Sequence, residues 1–263
     1  QRLFVSKLSR ISWSLVALIV LVACIGFSML YSAADGDMKP WAERQMIRFC
    51  AGMVVVFVIC ITDIRFWMRF AYLFYAVTLS FLVLVEGYGL VGMGAQRWLH
   101  LGWIQVQPSE LMKIALIVAL ASYFHRKTVE ELGRIKHVIV PLVMAFVPIV
   151  LVLRQPDLGT AVMLGIGAAA VFFVAGTALK YFVMGGAVAL AAIPTVWQFL
   201  EGYQRERILT FLNPNSDPLG TGYHILQSKI ALGSGGLLGR GYMQGTQSHL
   251  SFLPEHQTDF IFT

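Results

Sequence analysis

The sequence predicts an all-α polytopic membrane protein: seven apolar helices that cross the bilayer in turn, followed by a large extracytoplasmic loop. Three observations carry this. Of the 263 residues, 57% are hydrophobic and 13% charged, with a mean hydropathy of +0.71; too little polar surface remains to cover a water-soluble globule, so the excess apolar surface must face lipid. Uncharged stretches run over 11–34, 158–179 and 181–200, and each meets the roughly 20 residues that a crossing of about 30 Å requires. The net charge of +6 arises from basic residues that fall mostly between the apolar runs, a sign of membrane topology before it is one of nucleic-acid binding.

The first run is longer than a signal-peptide core and lacks a small-x-small cleavage site, so it reads as a retained helix. The stretches 49–62, 70–85, 114–124 and 138–153 are shorter and must borrow flanking residues. The expected bundle, 1–200, therefore has helices near 11–34, 42–62, 66–86, 108–124, 138–153, 158–179 and 181–200. Borrowing draws Arg44 and Arg48 into the second helix and Glu110 and Lys113 into the fourth. An ionisable group deep in a span costs about 2.5 to 3.5 kcal/mol on insertion scales, so it faces the bundle interior or an interface.

Orientation follows from the basic residues of the short connections. With the N-terminus inside, Arg2, Lys7, Arg10, Arg65, Arg69, Arg126, Lys127, Arg134, Lys136 and Lys180 are cytoplasmic, against Lys39, Arg44, Arg97 and Arg154 outside, a bias of ten to four. The polar segment 201–258 then becomes the extracytoplasmic loop, and 259–263 begins an eighth helix. Within the loop the sequence places turns at Asn213-Pro214 and Asp217-Pro218-Leu219-Gly220, a short amphipathic helix over 223–232, and tight turns at the glycines that follow. A smaller outer segment, 87–107, carries Trp98 and Trp103 around a hairpin turn near Gly102. The chain starts at Gln1 and stops within Phe260-Ile261-Phe262-Thr263, so both ends read as cut.

Few residues invite chemistry. Cys24, Cys50 and Cys60 lie in apolar runs without ligand-like spacing and read as small buried hydrophobes, and the six histidines show no metal-binding arrangement. The glycines of 233–241 lack the Lys-Ser/Thr of a phosphate loop. Pro108-Ser109-Glu110 reads as a helix start, and Glu110 with Lys113 forms an i,i+3 pair. That pair is either local helix chemistry or the rim of a cavity touching a polar headgroup. Asp157 is either the N-cap of the sixth helix or part of an outer cavity. Asp259 stands where the loop re-enters the membrane; partial desolvation there would raise its pKa and make it a better proton acceptor than a solvated carboxylate. With Arg205, Arg207, Lys229 and Arg240 in the loop, the parts suit an anionic, lipid-linked substrate.

In order along the chain, Gly94-Ala95-Gln96-Arg97-Trp98-Leu99, Gln107-Pro108-Ser109-Glu110, Gln155-Pro156-Asp157-Leu158-Gly159-Thr160, Asp217-Pro218-Leu219-Gly220, Gln227-Ser228-Lys229-Ile230-Ala231-Leu232-Gly233-Ser234-Gly235-Gly236, Gly245-Thr246-Gln247-Ser248, Phe252-Leu253-Pro254-Glu255 and Thr258-Asp259-Phe260-Ile261-Phe262 resemble the SEDS family of cell-wall polymerases. The Ser-Lys-Ile-Ala and Gly-Ser-Gly-Gly run resembles the elongation branch more than the division branch. Many members carry His directly before Thr-Asp-Phe, whereas here Gln257 holds that place and His256 lies one position earlier.

The resemblance implies a bundle of about ten helices, of which the first seven lie in residues 1–200, in the bacterial cytoplasmic membrane. It implies a peptidoglycan glycosyltransferase that polymerises lipid II, with Asp259 as general base on the acceptor 4-hydroxyl and undecaprenyl diphosphate as leaving group. Lys113, Arg48, Arg205, Arg207 and Lys229 are then the candidates for holding the diphosphate, Glu110 orients Lys113, and Asp157 shapes the outer cavity. No protein-held metal is expected; a divalent cation, Mg or Mn, would come with the diphosphate. A class B penicillin-binding protein and other elongation-complex proteins are the implied partners. A lipid II flippase, a division paralogue, and a module that only recruits the penicillin-binding partner are the competing readings. An incomplete bundle ending just past Asp259 is expected to be inactive.

Overall fold

The computed structural model describes residues 11–92, 95–101, 104–155, 157–200, 202–213, 221–236, 241–244, 258 and 261. In chain order the elements are α1 (Trp13–Ala33), α2 (Trp41–Ile61), α3 (Ile64–Tyr88), β1 (Leu90–Gly92), β2 (Ala95–Leu101), β3 (Ile104–Val106), α4 (Pro108–Phe124), α5 (Val129–Leu132), α6 (Ile135–Arg154), α7 (Leu158–Val174), α8 (Leu179–Phe199), α9 (Gly202–Leu212) and α10 (Thr221–Gly235). The chain is an all-α polytopic membrane protein: α1, α2, α3, α6 and α8 are each long and apolar enough to cross a bilayer. With 17 residues apiece, α4 and α7 extend only about 25 Å at 1.5 Å per residue. The chain divides into two compact units, one over Asp63–Phe199 and one combining Gln1–Thr62 with Leu200–Thr263.

In the Asp63–Phe199 unit, α4 is packed against α3, α6 and α7. Its Met112, Ala115, Leu116, Ala119 and Leu120 are buried, and α7 contributes Ala161, Leu164, Ala168 and Phe172 at helical spacing. In lipid the apolar effect does not drive helices together, so close approach over small residues such as these alanines supplies the packing energy. Phe124 and Phe172 meet edge to face with centroids 5.1 Å apart.

Two prolines inside α6 show how the unit manages backbone groups in an apolar medium. Pro141 and Pro148 have no N–H to donate four residues back, which strips the carbonyls of His137 and Met144 of their helical partners. Each carbonyl is taken by a tyrosine from a neighbouring helix: Tyr123 Oη of α4 donates to His137 O at 3.1 Å and Tyr75 Oη of α3 to Met144 O at 2.8 Å. Further ties join α4 to α3: Ser122 Oγ donates to Met68 O at 3.2 Å, and Thr78 Oγ1 lies 3.3 Å from Met112 Sδ. Polar side chains inside the bundle therefore act as connections between helices.

Between α3 and α4 the chain forms a small antiparallel sheet in the order β1-β2-β3. Leu101 pairs with Ile104; the hairpin turn expected near Gly102 falls on 102–103, outside the described residues. The β1 strand was not anticipated; its register shifts between Leu90 and Val91, so no alternating pattern marks it.

Helix ends differ from the uncharged stretches. The run 158–179 is not one helix: α7 stops at Val174, Gly176 adopts φ +85°, a conformation open to glycine, and α8 begins at Leu179 with Lys180 in its first turn. On the same side of the unit α5 opens with a capping box, in which Thr128 Oγ1 accepts from Glu131 N and Glu131 Oε2 from Thr128 N. That backbone hydrogen bond, with Lys127 nearby, holds the Glu131 carboxyl below its ordinary value.

In the other unit α1 lies against α2, with Trp13 near Phe57 and Phe27 near Phe49. Cys24, Cys50 and Cys60 are exposed on these helices rather than buried, because a crossing helix turns most of its side chains toward lipid. The segment after Leu200 is more helical than expected. It holds α9, whose sequence carries no long apolar run to announce it, and α10, which extends through Gly233, Ser234 and Gly235. The tight turns expected at those glycines give way to helix, ended by Gly236 at φ +60°. Residues 241–244 dock on the end of α1, where Tyr242 Oη donates to Ser28 O at 2.9 Å and Met243 N to Ser32 Oγ at 3.2 Å.

Candidate functional site

One end of the Asp63–Phe199 unit collects polar side chains where α3 and α6 finish and α4 and α7 start. Gln107 precedes α4 with Pro108 at its first position, and Glu110 occupies the first turn, where the helix dipole favours an anion. One turn on, Lys113 Nζ sits 2.8 Å from Glu110 Oε2, the pair expected from i,i+3 spacing. Both side chains keep contact with the exterior, Lys113 at 30% and Glu110 at 53% exposure, so the pair lies at a rim rather than in a closed core.

Asp157 caps α7. Its Oδ1 accepts from Thr160 N at 3.2 Å and its Oδ2 from Thr160 Oγ1 at 2.9 Å. Gln107 Nε2 lies 3.5 Å from Asp157 Oδ2, linking the starts of the two helices. The adjacent Gln155 is buried and donates to Leu82 O at 3.0 Å. Arg154 Nη1 reaches Glu86 Oε1 at 3.3 Å, bridging the ends of α6 and α3. Asp157 thus fills the capping role and also stands in a polar cluster. Two helix N-termini face this end, and Glu86, Glu110 and Asp157 stand against Lys113 and Arg154. Among the described side chains at this end, the cations are Lys113 and Arg154, each already paired with a carboxylate.

The remaining expected residues are distributed otherwise. Arg48 is exposed on α2, Arg205 and Arg207 belong to α9, and Lys229 is exposed on α10, all in the unit that combines the two ends of the sequence. The Arg207 side chain and Asp259 lie outside the described residues. Among the described residues no group of three or more His, Cys, Asp and Glu side chains comes together as a metal site would require.

Residues 6–263 match the cell cycle protein family of FtsW, RodA and SpoVE. The chain belongs to that family. It is 42% identical over 249 residues to the peptidoglycan glycosyltransferase MrdB of Escherichia coli K12, covering 93% of this chain and 66% of that protein. It is 36% identical over 259 residues to stage V sporulation protein E of Bacillus subtilis, covering 94% and 70%. A solved peptidoglycan synthase complex that coordinates polymerization and crosslinking contains a chain with TM-score 0.73 and 35% identity, covering 87% of this chain and 67% of that one. The crystal structure of the rod shape determining protein RodA of Thermus thermophilus gives TM-score 0.59 and 32% identity, covering 69% and 60%. The chain spans 66% of the length of MrdB.

Within this FtsW, RodA and SpoVE family member, the Glu110–Lys113 pair and the Asp157 cap were legible from local spacing. The Glu86–Arg154 bridge and the Gln107–Asp157 link were not, because their partners are 68 and 50 residues apart. A charge closing each of two apolar runs was the one signal available for Glu86 and Arg154.

Proposed function

We propose that the protein polymerises lipid II into glycan strands during cell elongation. The observation that carries this is the 42% identity to MrdB, a peptidoglycan glycosyltransferase, maintained over 93% of the chain. An FtsW relative, that of Geobacter sulfurreducens, is 35% identical, which favours the elongation role over the division role.

Asp259 acts as the general base. It takes the proton of the acceptor GlcNAc 4-hydroxyl as that oxygen attacks C1 of the donor MurNAc. The bond from C1 to the undecaprenyl diphosphate oxygen breaks, and the single displacement inverts C1. Correct placement of such a base is worth about 10² to 10⁴ in rate. Lys113, Arg48, Arg205, Arg207 and Lys229 neutralise the departing diphosphate. Glu110 holds Lys113 in place, and Asp157 fixes the start of α7 beside it. The N-terminus is cytoplasmic and the 201–258 segment extracytoplasmic. The polymerase works with a class B penicillin-binding transpeptidase, a pairing supported by the likeness to the synthase complex.

Purified full-length protein supplied with labelled lipid II in detergent tests the reading. Glycan strands should form, and Asp259→Asn should abolish them while leaving the thermal unfolding temperature unchanged. Strands made equally well by that variant would remove Asp259 from the mechanism. Movement of lipid II across vesicles without any strand formation would replace the polymerase by a flippase.

A further inference from the structure

An apolar groove of about 560 Å³ runs between α4 and α7, at the opposite end of the Asp63–Phe199 unit from the Glu110–Lys113 pair. That volume lies within the range of about 300 to 1,000 Å³ typical of small-molecule sites. Ile117, Ala121 and Phe124 line one wall, Gly167, Ala170 and Val174 the other, and His125 stands at the α4 end. Small residues keep it open: a Cβ built at Gly167 would already meet Ile117 Cδ1 at 3.6 Å, and a larger side chain would fill the space. Ile117 is 42% and Val174 85% exposed, so the groove is open along its side, as lipid access demands.

Its mouth is basic. Arg126 and Lys127 follow His125 directly, and Lys180 opens α8 just past the end of α7. Arg126 and Lys180 are exposed, Lys180 Nζ lying 5.1 Å from the centroid of the Tyr181 ring, while Lys127 is engaged with Glu131 at 3.5 Å. The C-termini of α4 and α7 bring partial negative charge to the same place, which the full charges of Arg126 and Lys180 exceed. Beside the mouth, Thr177 Oγ1 is buried with no hydrogen-bond partner among the described residues.

We propose that this groove holds an acyl chain of an anionic phospholipid, with the lipid phosphate bound at the mouth by Arg126 and Lys180. The apolar walls match the chain and the cations match the phosphate, a combination that neither a neutral lipid nor a plain apolar helix would use in full. The site is separate from the polymerisation chemistry proposed above and stands or falls independently of it.

Native mass spectrometry of the full chain in detergent, with phosphatidylglycerol or phosphatidylcholine added at equal concentration, provides the test. Phosphatidylglycerol should be retained in preference, and the double variant Arg126→Gln/Lys180→Gln should lose that preference by about fivefold per charge removed, as expected for about 1 kcal/mol per basic residue near an anionic lipid. Ala170→Phe, which fills the groove, should reduce retention of both lipids. Equal retention of the two lipids by the unmodified chain, a preference untouched by the charge variant, or displacement of bound phosphatidylglycerol by an equimolar polyprenyl diphosphate would overturn the proposal. Should Ala170→Phe not fold, the exposed charge pair decides alone.

Discussion

At the scale of single residues, several polar side chains inside this apolar bundle have an identifiable task. Tyr75 and Tyr123 hydrogen-bond the carbonyls that Pro148 and Pro141 leave without a helical donor. Each Tyr→Phe change removes one bond between helices, worth about 0.6 kcal/mol on average and at most about 1.7 kcal/mol in a membrane bundle. Thermal unfolding in detergent should show both variants destabilised and the double variant close to additive, since the two bonds lie on different turns of α6. Glu131 makes a prediction about pH. Its carboxyl titrates below its ordinary value, so its contribution is complete above the unfolded pKa of about 4.3 and is lost as pH falls through the lower folded value. Hydrogen exchange at the Thr128 amide should stay slow from pH 7 to pH 5 and quicken only in stronger acid, after correction for the intrinsic rate. Among the proposed substrate contacts, Lys113→Ala should slow strand formation more than Glu110→Gln. The lysine would touch the diphosphate, whereas the glutamate acts through it.

At the scale of elements, the break between α7 and α8 depends on one glycine. Gly176 at φ +85° ends α7 and lets the chain turn back into α8. An alanine there has to take a left-handed conformation at a cost of roughly 1 kcal/mol, and Gly176→Val should cost more because its branched Cβ is tighter still. A lower unfolding temperature for both, with Val the worse, is the expected result. The hydrophobic pattern showed where helices would lie but not where this one would stop, since 158–179 contains no charge to interrupt it. A related limit applies to α9, which has no long apolar run to mark it, and to α10, which continues through Gly233 and Gly235, glycines that read as turns.

At the scale of the whole molecule, the proposed substrate contacts divide between the two units. Glu110, Lys113 and Asp157 belong to Asp63–Phe199, whereas Arg48, Arg205, Arg207 and Lys229 belong to the other. Under the proposed mechanism both sets take part in neutralising the diphosphate. Arg205→Gln and Lys229→Gln should therefore each raise the KM for lipid II several-fold with a smaller effect on kcat, measured on the full-length protein. Unchanged KM in both would return the diphosphate to Lys113 and Arg154. Topology belongs to this scale too: a single cysteine introduced at Lys136 should be protected from a membrane-impermeant thiol reagent in intact cells, and one at Tyr223 labelled, with Cys24, Cys50 and Cys60 replaced beforehand. The opposite pattern would invert the proposed orientation.

The sequence by itself determined that the chain lives in a membrane, that it is helical, and that Glu110 pairs with Lys113. Composition, hydropathy and i,i+3 spacing are local properties, and each acts through neighbours along the chain. Only the tertiary structure decided which tyrosines rescue the proline-orphaned carbonyls, that Glu86 meets Arg154, that Gln107 joins the starts of α4 and α7, and that a groove remains between those helices. Those outcomes depend on which helices pack side by side and how closely, and in lipid that choice turns on small residues and a few hydrogen bonds that no periodicity in the sequence encodes.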